Sequence, residues 1–541
     1  MNFSFNHSIK FITTVFFNTP NILHMKKALL LSITCLCATY TFSQSPEDVL
    51  RYSYFPQQGT ARNLAIGGAM GSLGGDLNAL FVNPAGLAMY KTKEWVISPG
   101  MVLNKNKVNY RGTLNSNDRN GFNLGTSGFV VGYNEGKSKW ANQAFSVGIT
   151  QTANFNNTIA YKGSNNNSSY SEVFSEQFSN SGQTIDQALN NGGFAYGTAP
   201  ALYTYLVDTF RNANGDLVIK SLPEFLLANG LALQQQKTIE TRGGIYELAL
   251  GYAANMDDKL YLGGSLGIPF VSHTKNTMYR ESDPTNDTTN RFGFFEHTDR
   301  INTTGIGVNA KLGVIYKPKE FIRLGFAVHT PTFYYLTDKQ TASLTTNSEN
   351  YTPQKIITAN SNQFTNTSEG STSYSASTPL KLIVSGSYVF REVKDTRKQK
   401  AFITADIEYI GYGSTRFGAD GENVTDADKV FYKELKAVIK DYYKGTFNYR
   451  LGGELKFNTI MFRLGGAYYG NPYEDKQLKS NIKQASGGIG YRDHGMFIDL
   501  TYVHSWITDV NFPYRLNDKA NTYAEQQTER GNVTLTVGFK F

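Results

Sequence analysis

The constraint that most narrows the fold of this 541-residue chain is an alternation of period two that runs over most of its length. In residues 532–541, Val533, Leu535, Val537, Phe539 and Phe541 fall on one face, and Thr534, Thr536, Gly538 and Lys540 on the other. Successive side chains of an extended strand alternate in this way. Ile498, Leu500, Tyr502 and Trp506 likewise alternate with Asp499, Thr501, Val503 and Ser505. Tyr449, Leu451, Leu455 and Phe457 alternate with Arg450, Gly452, Glu454 and Lys456, and Leu380, Leu382, Val384, Tyr388 and Phe390 share a face. The pattern predicts fourteen strands, at 94–111, 121–134, 141–161, 241–255, 258–281, 296–317, 320–337, 371–391, 399–415, 446–458, 459–470, 481–492, 495–510 and 529–541.

The connections sort into two kinds. After even-numbered strands they are tight, as in NMDDK, KPKE, the Asn458-Thr459 step and RDHG. After odd-numbered strands they are often long, at 162–240, 282–295, 338–370, 416–445 and 511–528. An even strand count with short turns on one side and long loops on the other predicts an all-β fold, a transmembrane antiparallel β-barrel of the bacterial outer membrane with long extracellular loops. Soluble sandwiches and propellers have shorter strands without this asymmetry. Composition agrees, with 34 Tyr, 36 Phe and 51 Gly but only 40% hydrophobic residues, too few for a bundle of membrane helices. Net charge is +8 with both signs interspersed, so no nucleic-acid partner is expected. Within the long loops, 185–189, 222–233 and 427–443 have helical spacing; such helices either cover the barrel mouth or pack on one another.

The N-terminus reads as delivery. Lys26-Lys27 and the apolar run after it form a secretory signal over 25–43, cleaved after Ser43. Residues 1–24 read as an extension from a start assigned too early. The only cysteines, Cys35 and Cys37, fall inside the signal. Residues 44–93 break the β pattern. They hold a short helix begun by Ser45-Pro46, a glycine-interrupted stretch, a helix capped by Asp76, and a turn capped by Asn83 with Pro84 at its first position. These features predict a compact plug, or hatch, in the lumen, with the barrel occupying 94–541.

Charges within strands must point away from lipid. Alternation assigns Glu247, Lys311, Arg323, Lys381, Asp406, Glu408, Arg450, Glu454, Lys456, Arg463, Asp499 and Lys540 to the lumen. Mixed signs exclude the like-charge ring of a simple ion-selective pore. Arg323, Arg450, Arg463, Asp406, Glu408 and Asp499 are candidate lumen or ligand contacts, because guanidinium binds a carboxylate through two parallel hydrogen bonds. Gly263-Gly264-Ser265-Leu266-Gly267 matches a nucleophile-elbow pattern but sits inside a strand pattern, where no elbow forms. No catalytic residue, metal site or cofactor is expected, and the chain is not read as an enzyme.

Residues 55–90, FPQQGTARNLAIGGAMGSLGGDLNALFVNPAGLAMY, resemble the N-terminal hatch of FadL/TodX-type outer-membrane transporters of long-chain fatty acids and other hydrophobic compounds. Asp76 and the Asn83-Pro84-Ala85-Gly86 step carry that resemblance. NYRLGGELKFNTIMFRLGGAYYGNP and IDLTYVHSWITDV look like the family's late strands, and a terminal aromatic, here with Phe539 and Phe541, is the signal read by the barrel-assembly machinery. The resemblance implies passive uptake of a hydrophobic small molecule, a hatch rearrangement, and lateral release into the outer-membrane lipids through a gap made by an inward kink in the third strand. Residues 151–157, QTANFNN, are either that kink or simply the strand's extracellular end. The rival reading is a surface adhesin or haemin-binding protein whose barrel stays shut.

Overall fold

The computed structural model describes residues 46, 48–134, 139–365, 367–390, 400–420 and 424–541. The start-extension reading of 1–24 and the signal reading of 25–43 lie outside the described residues, as do Ser45, Glu47 and the turn residues 135–138 and 391–399.

The described chain closes into a fourteen-stranded antiparallel barrel around an N-terminal plug. The strands are β1 (Lys93–Ile97 and Pro99–Tyr110), β2 (Thr113–Leu124 and Ser127–Asn134), β3 (Trp140–Asn154 and Asn157–Asn165) and β4 (Leu233–Met256). They continue with β5 (Leu260–Ser282), β6 (Phe294–Lys319), β7 (Ile322–His329 and Phe333–Asn347) and β8 (Gly370–Ser377 and Lys381–Phe390). β9 (Ala401–Gly411 and Arg416–Ala419), β10 (Gly445–Phe457), β11 (Ile460–Tyr469), β12 (Asn481–Asp493), β13 (Met496–Asn511) and β14 (Ala524–Lys540) complete the wall. Closure is made by β14 on β1, in register from Glu94↔Lys540 to Ile97↔Val537 and from Gly100↔Thr534 to Asn109↔Glu525. Exchanged backbone bonds between Lys93 and Phe541 seal the seam.

The outward faces carry the apolar half of the alternation. Leu312, Leu451 and Leu464 are 63%, 59% and 75% exposed, as a lipid-facing surface requires. Trp95, Trp140, Tyr316, Phe390 and Phe539 ring the short-turn side, and Phe270, Tyr335, Tyr409 and Trp506 ring the other. Phe539 stacks on Trp95 at 6.5 Å, and Phe541 is exposed at the seam.

Several strands run further toward the long loops than the alternation predicted. β2 starts at Thr113 rather than 121, β3 reaches Asn165, β4 starts at Leu233 rather than 241, and β7 continues to Asn347. The reason is physical. At about 3.3 Å per residue, the 26-residue β6 spans roughly 85 Å against a hydrocarbon core of about 30 Å. Beyond that core the outer face need not be apolar. On β5 it changes from Leu262, Leu266 and Phe270 to Ser272, Thr274 and Asn276, which erases the signal.

Between β3 and β4 the chain forms a cap on the long-loop side. It consists of α4 (Ser171–Ser181), α5 (Ile185–Leu189), α6 (Thr198–Tyr203), the hairpin Val207–Arg211 with Leu217–Ser221, and α7 (Leu222–Ala228). Phe174, Phe178, Leu202, Leu206 and Leu226 pack there against Tyr279, Phe295 and Leu344 of the wall. α8 (Asp426–Tyr442) presses Phe431, Tyr432, Leu435 and Ile439 onto the mouth, against Val49 and Tyr52 of the plug. The loop helices therefore cover the mouth and pack into shared cores.

The plug itself comprises α1 (Asp48–Arg51), α2 (Ala61–Ala65), α3 (Ala79–Val82) and the 3₁₀ turn Pro84–Met89. Thr60 caps α2, accepting from Asn63 N at 3.2 Å. Asp76 does not cap a helix as its position suggested. It accepts from Asn78 N at 2.9 Å and from Thr60 Oγ1 at 3.0 Å, tying the two halves of the plug together.

Candidate functional site

The plug fills the short-turn half of the lumen because the wall there lacks side chains. A Cβ on Gly313 of β6 would overlap Asn83 Oδ1, one on Gly263 of β5 would overlap Pro84, and one on Gly251 of β4 would overlap Leu80. Gly325 of β7 faces Gly71 in the same way, and Gly452 of β10 and Gly465 of β11 face Ile66 and Gly67. These inward glycines form a bare seat for plug backbone.

Wall hydroxyls then satisfy that backbone. Thr501 Oγ1 donates to Ala61 O at 2.6 Å, Ser486 Oγ to Ala65 O at 3.0 Å, and Thr404 Oγ1 to Ala69 O at 3.2 Å. Ser265 Oγ of the elbow-like pattern donates to Leu80 O at 3.0 Å from mid-strand, so its hydroxyl is a plug contact. Asn83 has three tasks: its Oδ1 accepts from Ala85 N at 3.2 Å, and its Nδ2 lies 2.6 Å from Gly71 O and 3.2 Å from Val314 O of the wall. Ala85 is fully buried against the wall, and Gly86 N donates to Asn83 O at 3.0 Å where the 3₁₀ turn closes.

The lumenal charges pair among themselves and with the plug. Arg463 donates through Nε to Glu454 at 2.6 Å and through Nη1 to Asp499 at 2.5 Å, and Arg62 of the plug lies 3.6 Å from the same Glu454. Arg450 donates to Glu408 at 2.7 Å, Asp406 accepts from Gly71 N at 3.0 Å, and Arg323 Nη1 rests 3.6 Å from Met89 Sδ. Lys311 pairs with Glu247. A charge pair this deeply buried loses heavily when one member is removed. Arg463→Met is expected to lower unfolding stability by about 3–5 kcal/mol, because Glu454 and Asp499 are left facing each other. Replacing all three with apolar residues should recover most of the loss, read as the temperature at which the barrel loses its compact gel mobility.

The six candidate contact residues Arg323, Arg450, Arg463, Asp406, Glu408 and Asp499 are not among the residues lining the large lumenal cavity. Glu408 and Arg450 line a smaller chamber beneath it. The large cavity, about 590 Å³, lies between the leading end of the plug and the mouth. Leu50, Tyr54 and Phe55 of the plug, Phe155 and Ile159 of β3, Ile239 of β4 and Phe512 give it an apolar lining. Arg51, Lys237, Lys275, Arg515 and Arg530 border it with one acid, Asp509. Ile239 was missed because 233–240 was read as loop, although Lys237, Ile239 and Thr241 continue the inward parity of Ile245.

One side of this cavity meets an interruption in the wall. Below it, β2 and β3 pair from Asn134↔Asn142 to Ser127↔Ile149. Among the described residues no ladder then joins Thr113–Leu124 to β3. Thr152 is an extra residue, since Gln151 opposes Tyr246 while Ala153 opposes Ile245. The strand breaks at Phe155-Asn156 and resumes at Asn157↔Thr241 as a continuation of the β4 pairing. Residues 151–157 are thus a kink within a continuing strand, not the strand's end.

The kink turns inward. Buried Asn104 and Asn106 of β1, two strands away, donate to Asn156 O at 2.8 Å and Thr158 O at 2.6 Å. Arg530 of β14 donates to Asn154 O at 3.3 Å. Side chains bridge the gap where the backbone does not: Asn117 Nδ2 reaches Ala160 O at 3.0 Å and Asn154 Nδ2 reaches Phe122 O at 2.8 Å. Such bonds are short-range and separable, unlike a ladder.

On the long-loop side, beyond the apolar band, Glu281 ties the cap to β5. It accepts from Ser169 Oγ, from Tyr170 N at 2.7 Å, from Gln235 Nε2 at 2.8 Å and from Tyr279 Oη at 3.0 Å. The four donors favour the carboxylate, but burial outweighs them and lifts the carboxyl from 4.5 to about 7. A carboxyl raised on folding stabilises the fold below its unfolded value, and that contribution is lost as pH climbs through about 7. Protection factors of the 171–228 amides, taken relative to the base-catalysed intrinsic exchange rate at each pH, are therefore expected to be higher at pH 5 than at pH 8, and Glu281→Gln should remove most of that difference.

Among the described residues no helix is long and apolar enough to cross a membrane, and no cluster of His, Cys, Asp and Glu suits a metal ion. No family model matches the sequence, and no curated protein matches it. Solved structures do. A Pseudomonas aeruginosa FadL homologue aligns over 90% of this chain and 99% of its own, with a TM-score of 0.53 at 13% identity. The Pseudomonas putida toluene transporter TodX aligns over 90% and 99%, with a TM-score of 0.49 at 12% identity. The chain thus has the fold of the FadL homologue.

Proposed function

We propose that this protein is a passive outer-membrane channel for hydrophobic compounds, long-chain fatty acids being the default cargo. The observation that carries the reading is the junction of the roughly 590 Å³ cavity with the interrupted β2–β3 wall. The shared fold with a FadL homologue supports it. The long loops face outward and the short turns face the periplasm. A hydrophobic molecule is captured under the cap and α8, and moves into the cavity above the plug, where burial is worth about 25 cal/mol per Å² of apolar surface. It leaves sideways between β2 and the kinked β3. Water-filled passage through the short-turn half is blocked by the plug, so the cargo goes to the bilayer rather than to the periplasm.

The rearrangement that opens the path is assigned to the plug's leading residues Leu50–Gln58, because they form the cavity floor while residues 59–90 are locked in the glycine seat. Arg530, Lys237 and Lys275 are the groups suited to an anionic head, and Arg450 with Glu408 would meet cargo only after that floor moves. Phe541 and Phe539, at the barrel seam, serve as the signal for the assembly machinery, following export through the cleaved signal segment.

Mass spectrometry of protein extracted in a mild detergent tests the reading. A hydrophobic molecule at near-stoichiometric amount, lost when Phe155 and Ile239 are both replaced by Asp, is expected. Haem in its place, or no dependence on those two residues, would overturn it.

A further inference from the structure

The outer surface carries a second concavity, unconnected with the lumen. It is an apolar groove of about 680 Å³ whose floor is Gly263, Gly264 and Gly313 and whose sides include Tyr252, Leu312 and Phe326. Gly263 and Gly313 are fixed by the plug, since a Cβ on either would overlap Pro84 or Asn83. Gly264 is different. A Cβ there would meet nothing nearer than Leu312 Cδ2 at 3.4 Å, an ordinary contact, so the wall's own packing does not require glycine. The bare position keeps the groove open on the lipid side.

We propose that this groove holds one acyl chain of a periplasmic-leaflet phospholipid, with its phosphate met by the lysines of the adjoining turns. The proposal rests on the outer-membrane reading above. The depth supports it: Gly264 lies five residues beyond Lys259 of the β4–β5 turn, so the groove opens into the hydrocarbon next to the periplasmic headgroups. An apolar hollow there forfeits dispersion contacts unless hydrocarbon fills it. Charge supports the headgroup. Lys139 beside Trp140 at the groove mouth, Lys259 and Lys319 sit on three successive turns with Asp257, Asp258 and Glu320, while Lys317 stands over the ring of inward-facing Tyr261. Backbone bonds hold these turns side by side, Asp257 N to Lys139 O at 3.0 Å and Lys317 N to Lys259 O at 2.8 Å. Asp258 is engaged by Asn255 Nδ2 at 3.1 Å. With Asp258 so engaged, Lys139, Lys259 and Lys319 face two remaining acids, and a phosphodiester suits them.

The test is native mass spectrometry of the full chain released from detergent with added phosphatidylglycerol, or with a diacylglycerol that lacks the phosphate. One retained phosphatidylglycerol per barrel is expected, with at least tenfold weaker retention of the diacylglycerol. Gly264→Leu should cut phosphatidylglycerol retention at least tenfold, and the paired change Lys139→Gln with Lys259→Gln should erase the preference for phosphate. Leu312→Trp, which fills the groove from its exposed rim, provides a second variant if Gly264→Leu does not assemble. Hydrophobic uptake should be unchanged in the groove variants, which separates this proposal from the channel reading. Equal retention by the groove variants, or a barrel dimer in place of bound lipid, would overturn it.

Discussion

Deleting Thr152 is expected to lower uptake of hydrophobic compounds at least tenfold while leaving a normally assembled, sealed barrel. The expectation follows from register. Thr152 is the one residue of the β3–β4 pairing in this region without a counterpart, since Gln151 opposes Tyr246 and Ala153 opposes Ile245. A bulge of this kind bends its strand and ends regular pairing on the far side. Without it, Ala153 and every later residue keep their face, because removing the extra residue restores strict alternation after Thr150. β3 can then run straight, and the ladder to β2 that stops at Ser127↔Ile149 can extend along Leu124 and beyond. The kink that Asn104, Asn106 and Arg530 hold inward would be lost, and with it the exit. Uptake of a labelled hydrophobic compound into cells, normalised to surface barrel, is the measurement. Wild-type uptake in the deletion would remove the β2–β3 gap from the mechanism.

The second large effect concerns the plug. Removing residues 46–92 is expected to leave a barrel that inserts but admits small polar solutes, with single-channel conductance rising from near zero to that of an open pore. The wall can survive the loss because its charges, Arg463 with Glu454 and Asp499, and Arg450 with Glu408, are paired without the plug. The glycine seat, however, would be bare and wet. Gly465→Leu gives the graded version. Its side chain would drive into Gly67 N and Ile66, backbone that cannot yield locally, so a partial leak is expected from a full-length chain. Unchanged conductance in both variants would mean that something other than the plug seals the lumen.

How much of this was readable in the sequence divides at the edge of the bilayer. Inside the hydrocarbon, lipid forces one face of each strand to be apolar, so the fourteen strands and their inward charges were legible from alternation alone. Outside it both faces are polar. Residues 113–120 therefore read as loop, and the extension of β7 through Lys339, Thr341 and Ser343 went unseen. Pairing was legible only across tight turns. The two-residue turn at Asn458, with φ +53°, brings Glu454 opposite Arg463, and both were already assigned inward. Asp499, two strands further on, could not be matched to Arg463, because the 470–480 connection hides the register. The inward glycines were visible as glycines, but their purpose depends on which plug atom faces each one. The kink was visible as polar residues in the wrong place. Whether it bent the strand or ended it depended on 157–165 pairing with β4, which is a tertiary fact.

The most direct test of the central claim is photo-cross-linking with a long-chain hydrocarbon bearing a diazirine, applied to intact cells and mapped by peptide mass spectrometry. Adducts at Phe155, Ile159 and Ile239 in the cavity and at Phe122 or Leu114 on the outer side of the gap are expected, with the outer set lost on deletion of Thr152. Adducts confined to the cap and α8, with none in the cavity or along β2, would contradict passage through the lumen and out between these strands.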